Sequence, residues 1–216
     1  MEEIKNIFNE IAKYYDKTND KISLGLQRLI KKMAIAELNI APRSMVLDVC
    51  CGTGDITKII SELVPNAKVI GIDIAENMLR LAKKKNRFGV FLRMDATNVT
   101  FKKFEFAYVI SAFGLRNIPN RRQAITEIYR VLRPEGKFMH LDFGYHNKLS
   151  KLFDLFVLGL TSILPVNKYH YRYLIDSKNN FPEPDRLIEE FENCGFRYIK
   201  KKDYLFGLIS MQIMRK

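Results

Sequence analysis

Cysteine is scarce in this chain: Cys50, Cys51 and Cys194 are the only three in 216 residues. Two adjacent thiols and one distant one make no disulfide framework, and they lack the separated C-x2-C pairs of a structural zinc site. A reducing, cytoplasmic setting is therefore expected. Histidine is equally sparse, and His146 and His170 stand alone without ligand spacing, so no metal is expected. The first ten residues, MEEIKNIFNE, are acidic and amphipathic and lack the basic start, apolar stretch and small-residue cleavage site of a secretory signal. No export is implied, and Asn98-Val99-Thr100 reads as a chance sequon. Long apolar runs are missing too. The segment KLSKLFDLFVLGLTSILPV falls short of the ~20 apolar residues of a bilayer span and is interrupted by Asp154, which fits a buried or interfacial helix better. There is no internal repeat and no low-complexity linker.

With 47% hydrophobic residues, a chain of this length builds one substantial core. A single domain over residues 1–216 is expected, divided into a helical cap (1–40), a cofactor-binding core (44–142), a substrate or lid segment (143–180) and a C-terminal helix and hairpin (181–216). The formal charge of +12 biases the surface toward polyanions, whether nucleic acid, an anionic membrane face or a phosphorylated ligand. A lysine-rich, merely solvated surface accounts for it equally well.

Strand-like runs recur at Met45–Val49, Lys68–Ile72, Val90–Arg93, Phe106–Ser111 and Lys137–Asp142, separated by helical patterns at 55–63, 76–85 and 121–132. Arg133-Pro134-Glu135-Gly136 reads as the turn that ends the last of these helices. Such alternation predicts an α/β fold with a mostly parallel, Rossmann-like sheet. Two helices, 2–15 and about 24–37, should precede the sheet, bracketing the polar link YYDKTNDKIS and lying over the carboxyl end of the strands. A helix at 184–194, stopped by Gly195, and strands 197–204 and 208–214 turning near Phe206-Gly207 complete the chain.

The chemistry begins in VLDVCCGTGDITKII. A strand ending at Val49 runs into the turn Cys50–Gly54 and then into a helix, so backbone N–H groups and the positive helix end face outward. The nicotinamide fingerprint G-x-G-x-x-G fails at Thr57, and the Gly-Lys-Ser/Thr of a phosphate-binding P-loop is missing. Asp73 ends the second strand about 20 residues on, where a carboxylate can accept hydrogen bonds from both hydroxyls of a ribose. Together with Asp48 within the first strand, the shortened Gly52-Thr53-Gly54 turn, and Asp95-Ala96 after the third strand, this favours S-adenosyl-L-methionine. Asp95 should then lie beside the adenine amino group and Asp48 near the methionine ammonium. The paired cysteines read as packing, since adjacent cysteines do not easily close an unstrained disulfide.

Five segments carry a closer likeness: YDKTNDKISLGLQRLIKK (15–32), LDVCCGTGD (47–55), GIDIAENML (71–79), FGLRNIPNRRQAITEIYRVLRP (113–134) and YRYL (171–174). In these the chain resembles the quinone-biosynthesis C-methyltransferases, which methylate demethylmenaquinol or a ubiquinone precursor with S-adenosyl-L-methionine. The resemblance implies a seven-stranded sheet with an antiparallel last strand, and cofactor contacts at Thr53, Asp73, Asp95 and Ala96. The residue before FGLRN, often Ser in that family, is Ala112 here, with Ser111 one step earlier as the candidate cofactor contact.

For methyl transfer to a quinol carbon, a developing phenolate needs stabilising. Arg116 is the expected electrostatic group, Asn117 an orienting one and Asp142 the expected base, with His140 deeper on the same strand face. Tyr15 and Asp16 are expected to close over the cofactor. Leu152 to Val166 is the expected entrance for a lipophilic quinol, set against an anionic membrane, and a homodimer is compatible with the pattern. A methyltransferase acting on RNA is the rival that the charge suggests, although the Asn/Asp-Pro-Pro-aromatic signature of amine methylation is missing. Action on another small molecule, and cofactor binding without turnover, stay open.

Overall fold

The β-branched and aromatic runs read from the sequence form strands that assemble into one seven-stranded sheet, in a computed structural model that describes residues 2–87, 89–163 and 168–216. The end of the expected entrance segment beyond 163, and the side chain of His170, lie outside the described residues. In chain order the strands are β1 (Met45–Val49), β2 (Lys68–Asp73), β3 (Val90–Arg93), β4 (Phe106–Ala112), β5 (Leu132–Phe143), β6 (Arg197–Tyr204) and β7 (Ile209–Arg215). Their order across the sheet is β3-β2-β1-β4-β5-β7-β6. The pairs β1/β2, β1/β4, β2/β3 and β4/β5 are parallel, and β7 runs antiparallel to both β5 and β6. The antiparallel last strand and its hairpin turn are as the sequence and the resemblance imply.

The helices are α1 (Glu2–Ser23), α2 (Leu26–Leu38), α3 (Asp55–Leu63), α4 (Glu76–Lys85), α5 (Arg121–Val131), α6 (Lys148–Ile163), α7 (Lys168–Asn179) and α8 (Pro184–Glu192). Alternate residues of the central strands face opposite layers. Val46 packs with Ile30, Ala34 and Ile35 of α2 and Ile56 and Ile60 of α3, whereas Leu47 and Val49 pack with Ile125 and Ile128 of α5 and Leu187 and Phe191 of α8. Among the described residues no helix is long and apolar enough to cross a membrane.

Two expectations need correction. The polar link YYDKTNDKIS is not a break; it is the second half of α1, since nothing from Tyr14 to Ser23 is Gly or Pro. The break comes at Leu24-Gly25, both in the left-handed region (φ 51° and 77°). Similarly, Arg133–Gly136 does not follow a helix as a free turn but lies within β5, where the register against β4 jumps between Phe106 and Tyr108 and Glu135 takes φ 62°. This is a bulge.

Candidate active site

At the point where the strand order reverses, β1 and β4 lie side by side and their outgoing chains diverge, β1 into Cys50–Gly54 and β4 into Phe113–Asn117. Open α/β sheets bind ligands in that crevice. A cavity of about 360 Å³ occupies it, and α1 lines it along nearly its whole length, from Ile4 to Ser23.

Asp73 organises the turn. Its Oδ2 accepts the Gly52 N–H (2.9 Å) and its Oδ1 the Ala75 N–H (2.9 Å), which leaves lone pairs on both oxygens for a ligand's hydroxyls. Burial raises its pKa above the ordinary carboxylate range despite those donors. Asp48 is fully buried in β1, accepts a hydrogen bond from the Thr57 hydroxyl (3.0 Å), and is pushed up to about 7 by burial. Asp95 accepts from both the N–H and the hydroxyl of Thr97 through Oδ1 (2.8 Å each). All three aspartates line the cavity, as do Gly52, Thr53 and Ala96. Gly54 does not: it shapes the turn at φ 81°, and a Cβ there would meet Asn86 Nδ2 at 2.6 Å.

Thr53 is engaged by the protein itself. Its hydroxyl donates to Asp16 Oδ1 (2.6 Å), and Lys85 Nζ donates to Thr53 Oγ1 (3.0 Å), Asp16 Oδ2 (2.7 Å) and Asp55 Oδ1 (2.7 Å), while Lys31 Nζ donates to Asp55 Oδ2 (3.0 Å). Burial opposes its charge, but the two lysines hold Asp55 well below the usual carboxylate range. The cluster ties α1, α2 and α4 to the glycine turn. Asp16 thus closes onto Thr53, and Tyr15 lines the cavity.

On the β4 side, Arg116 Nη1 donates to Phe113 O and to Asp142 Oδ1, both at 2.8 Å, with the guanidinium 5.3 Å from the centre of the Phe143 ring. Arg116 lines the cavity, is nearly inaccessible to solvent, and its Nε–H has no partner among the described residues. Asn117 also lines it and accepts from the Tyr173 hydroxyl (3.1 Å). Asp142 is not where the sequence reading put it. It is completely buried behind Arg116, outside the lining, with its Oδ1 also accepting the Phe143 N–H (2.8 Å). His140 is buried beside it, 4.0 Å from Nε2 to Asp142 Oδ2, and Nδ1 meets Gln212 Oε1 at 2.6 Å; burial lowers its pKa. Ser111 is also outside the lining, and its buried hydroxyl has no partner among the described residues. Burial raises both Cys50 and Cys51 well above the ordinary thiol range, so they are inert thiols at neutral pH. Sequence reasoning assigned no role to Lys31, Lys85, Tyr171 or Tyr173, all of which sit at or beside the cavity. The two tyrosines stand in the quoted YRYL segment, whereas the lysines find their partners 24 to 69 residues away and leave no local signal.

The ubiE/COQ5 methyltransferase family model matches residues 1–216. The chain belongs to that family. It is a methyltransferase, and its sequence motifs are those expected of one that uses S-adenosyl-L-methionine as the methyl donor. It is 33% identical over 222 aligned residues to the demethylmenaquinone methyltransferase of Staphylococcus saprophyticus, covering 98% of this chain and 95% of that one. The demethylmenaquinone methyltransferase of Geobacillus sp. WCH70 is 32% identical, covering 100% of this chain and 97% of its own. The methyltransferase shares its fold with a SAM-dependent methyltransferase from Aquifex aeolicus (TM-score 0.67, 15% identity, 86% of this chain and 88% of that one). It also shares it with the Haemonchus contortus phosphoethanolamine N-methyltransferase 2 solved with S-adenosyl-L-methionine (TM-score 0.63, 21% identity, 83% of this chain and 39% of that one).

The residues present fit the donor. Gly52 lines the cavity, and a Cβ on it would meet nothing within 4 Å, so the turn's backbone faces open space. Three aspartates around that space complement a cationic ligand, and the cavity lies in the size range of small-molecule sites.

Proposed function

We propose that this methyltransferase moves the methyl group of S-adenosyl-L-methionine onto a ring carbon of demethylmenaquinol: the carbon–sulfur bond breaks to leave the thioether S-adenosylhomocysteine, and the methylated ring carbon gives up its proton to water. The relatives named above support the substrate, and the buried guanidinium of Arg116 at the cavity wall is the observation that carries the chemistry. When bound, the donor supplies an electrophilic methyl carbon on a sulfonium. Asp73 would accept hydrogen bonds from the ribose hydroxyls, Asp95 and Ala96 would border the adenine, and Asp48 would face the ammonium. Gly52 leaves room for the donor, while Thr53 and Gly54 act through the shape and anchoring of the turn.

A quinol ring carbon becomes nucleophilic as its hydroxyl approaches a phenolate. Arg116 lines the cavity, and its guanidinium donates to a quinol oxygen there. Asp142, Phe113 O and the Phe143 ring fix the guanidinium before substrate arrives, so little reorganisation accompanies charge development. Asp142 is in this reading a positioning residue rather than a base. Asn117 and Tyr173 orient the ring, α1 excludes water as a cap, and Ser111 receives no donor contact. The quinol's isoprenoid tail requires the enzyme to work against a membrane surface.

Arg116→Ala is expected to lower turnover about 10²–10³-fold while the dissociation constant for S-adenosyl-L-methionine, read by calorimetry, stays unchanged. Equal loss of both would make Arg116 a donor-binding residue.

A further inference from the structure

The two ends of the cavity differ. Phe8, Ile11 and Tyr15 of α1 pack near Ala75 and Met78 at the aspartate-lined end, whereas Ile22 packs with Phe153 and Val157 of α6 at the other. At that second end the lining includes Leu24, Leu26, Phe153, Leu205 and Leu208. Leu24 and Leu205 are 79% and 36% exposed, so the cavity reaches the surface between the α1–α2 break and the β6–β7 turn.

The rim of this mouth is built against ordinary folding preferences. Phe206, at the tip of the β6–β7 turn, is 94% exposed and has φ 53°, next to Leu205 at φ 50°. The left-handed region suits Gly or Asn at a turn tip, and a side chain that exposed gains no packing in exchange. Leu24 repeats the pattern at φ 51°. Beside them, α6 turns Leu152, Leu155 and Phe156 outward, a stripe at i, i+3 and i+4 on the face opposite the buried Val157. The Asn147 side chain just before α6 donates to Phe206 O (3.0 Å), which joins the turn to the helix. Lys148 and Lys151 stand exposed in the first turns of α6, on a chain of net charge +12. Exposed apolar side chains on the turn and the helix that it is tied to, with cations beside them, match an anionic lipid surface.

We propose that Leu24, Leu205, Phe206 and the outward stripe of α6 insert into an anionic bilayer, and that the isoprenoid tail passes from it into the cavity between Leu24 and Leu205. The tail path rests on the quinol reading above; the insertion does not. The chain contains no tryptophan, so Phe206→Trp is a unique fluorescent reporter. With vesicles of phosphatidylcholine and phosphatidylglycerol carrying acyl-chain bromines, its emission should shift to the blue and be quenched. Tyr198→Trp, towards the other end of β6, should stay unquenched. Absence of quenching at 206, equal quenching at both positions, or equally tight binding to pure phosphatidylcholine would overturn the proposal.

In a second arm, Phe206→Glu with Leu155→Glu should weaken vesicle partitioning about tenfold or more. Turnover of long-tailed demethylmenaquinol in vesicles should fall by a similar factor, with turnover of a tail-less, water-soluble quinol unchanged. Equal loss on both substrates, or undiminished partitioning, would contradict the proposal. If the unaltered enzyme methylates neither quinol, the quinol reading fails, and the tryptophan reporter still decides the insertion.

Discussion

Asp48 is a carboxyl group held where its charge is costly. Burial raises it to about 7, so the folded protein favours the protonated acid, and the stability this confers is present at low pH and lost as pH climbs from the ordinary carboxylate range to and through about 7. Without donor, Asp48→Asn should therefore gain stability relative to the native protein between about pH 5 and about pH 8, read by urea denaturation. With donor the sign reverses for affinity: an ammonium prefers the ionised carboxylate, so binding should tighten over the same pH range and be flat in Asp48→Asn. A parallel pH profile in both proteins would remove Asp48 from the donor site. A second residue-scale consequence concerns the turn after β4. A Cβ on Gly114 would lie 2.4 Å from Cys50 Cβ, so Gly114→Ala should destabilise by about 1–3 kcal/mol through overpacking. Adding Cys50→Gly should restore most of that loss, because Cys50 itself sits at φ 57°, which glycine adopts without strain. Failure of the pair to rescue would mean that the clash is relieved elsewhere.

Among the elements, α1 is the one whose position decides access to the cavity. Its polar side is fastened by Asp16 to Thr53 and Lys85, and Asn9 fastens it to α4 through the Asn77 N–H (2.9 Å). Lys85→Met strips Asp16 and Asp55 of a shared, partly buried cation and should cost about 2 kcal/mol. Amide exchange in α1 should accelerate while that of β1 and β4 falls only with global stability; uniform acceleration would mean that the cluster does not anchor the helix specifically. These ties also mark what sequence alone could convey. β1, β3, β6, α3 and α4 were legible to the residue because β-branched runs, glycine turns and helical periodicity are local signals. The continuity of α1 was hidden since YYDKTNDKIS is polar on the side that later meets Thr53 and Lys85. The bulge in β5 was likewise hidden, because Arg-Pro-Glu-Gly has the composition of a free turn and only the pairing with β4 carries it into the sheet. The three aspartates that line the cavity, Asp48, Asp73 and Asp95, were legible by their order along alternating strands. Asp142 was misread because strand alternation fixes the face of a side chain, not what stands in front of it, and here Arg116 does.

At the scale of the whole molecule, three aspartates, the guanidinium of Arg116 and the apolar side chains of α1 share the lining of one cavity, which suits the proposed combination of a cationic donor, a ring acceptor and an isoprenoid tail. If the net charge of +12 serves the proposed lipid surface, raising salt should weaken vesicle binding and leave turnover of a tail-less quinol unaffected; a salt-insensitive partition would contradict that proposal. The most direct test of the central claim is incubation with methyl-labelled S-adenosyl-L-methionine and a mixture of demethylmenaquinol, a demethylated benzoquinol and bulk RNA, followed by separation and mass spectrometry. Label is expected on a ring carbon of the demethylmenaquinol product. Label confined to RNA, or carried on a quinol oxygen, would contradict it.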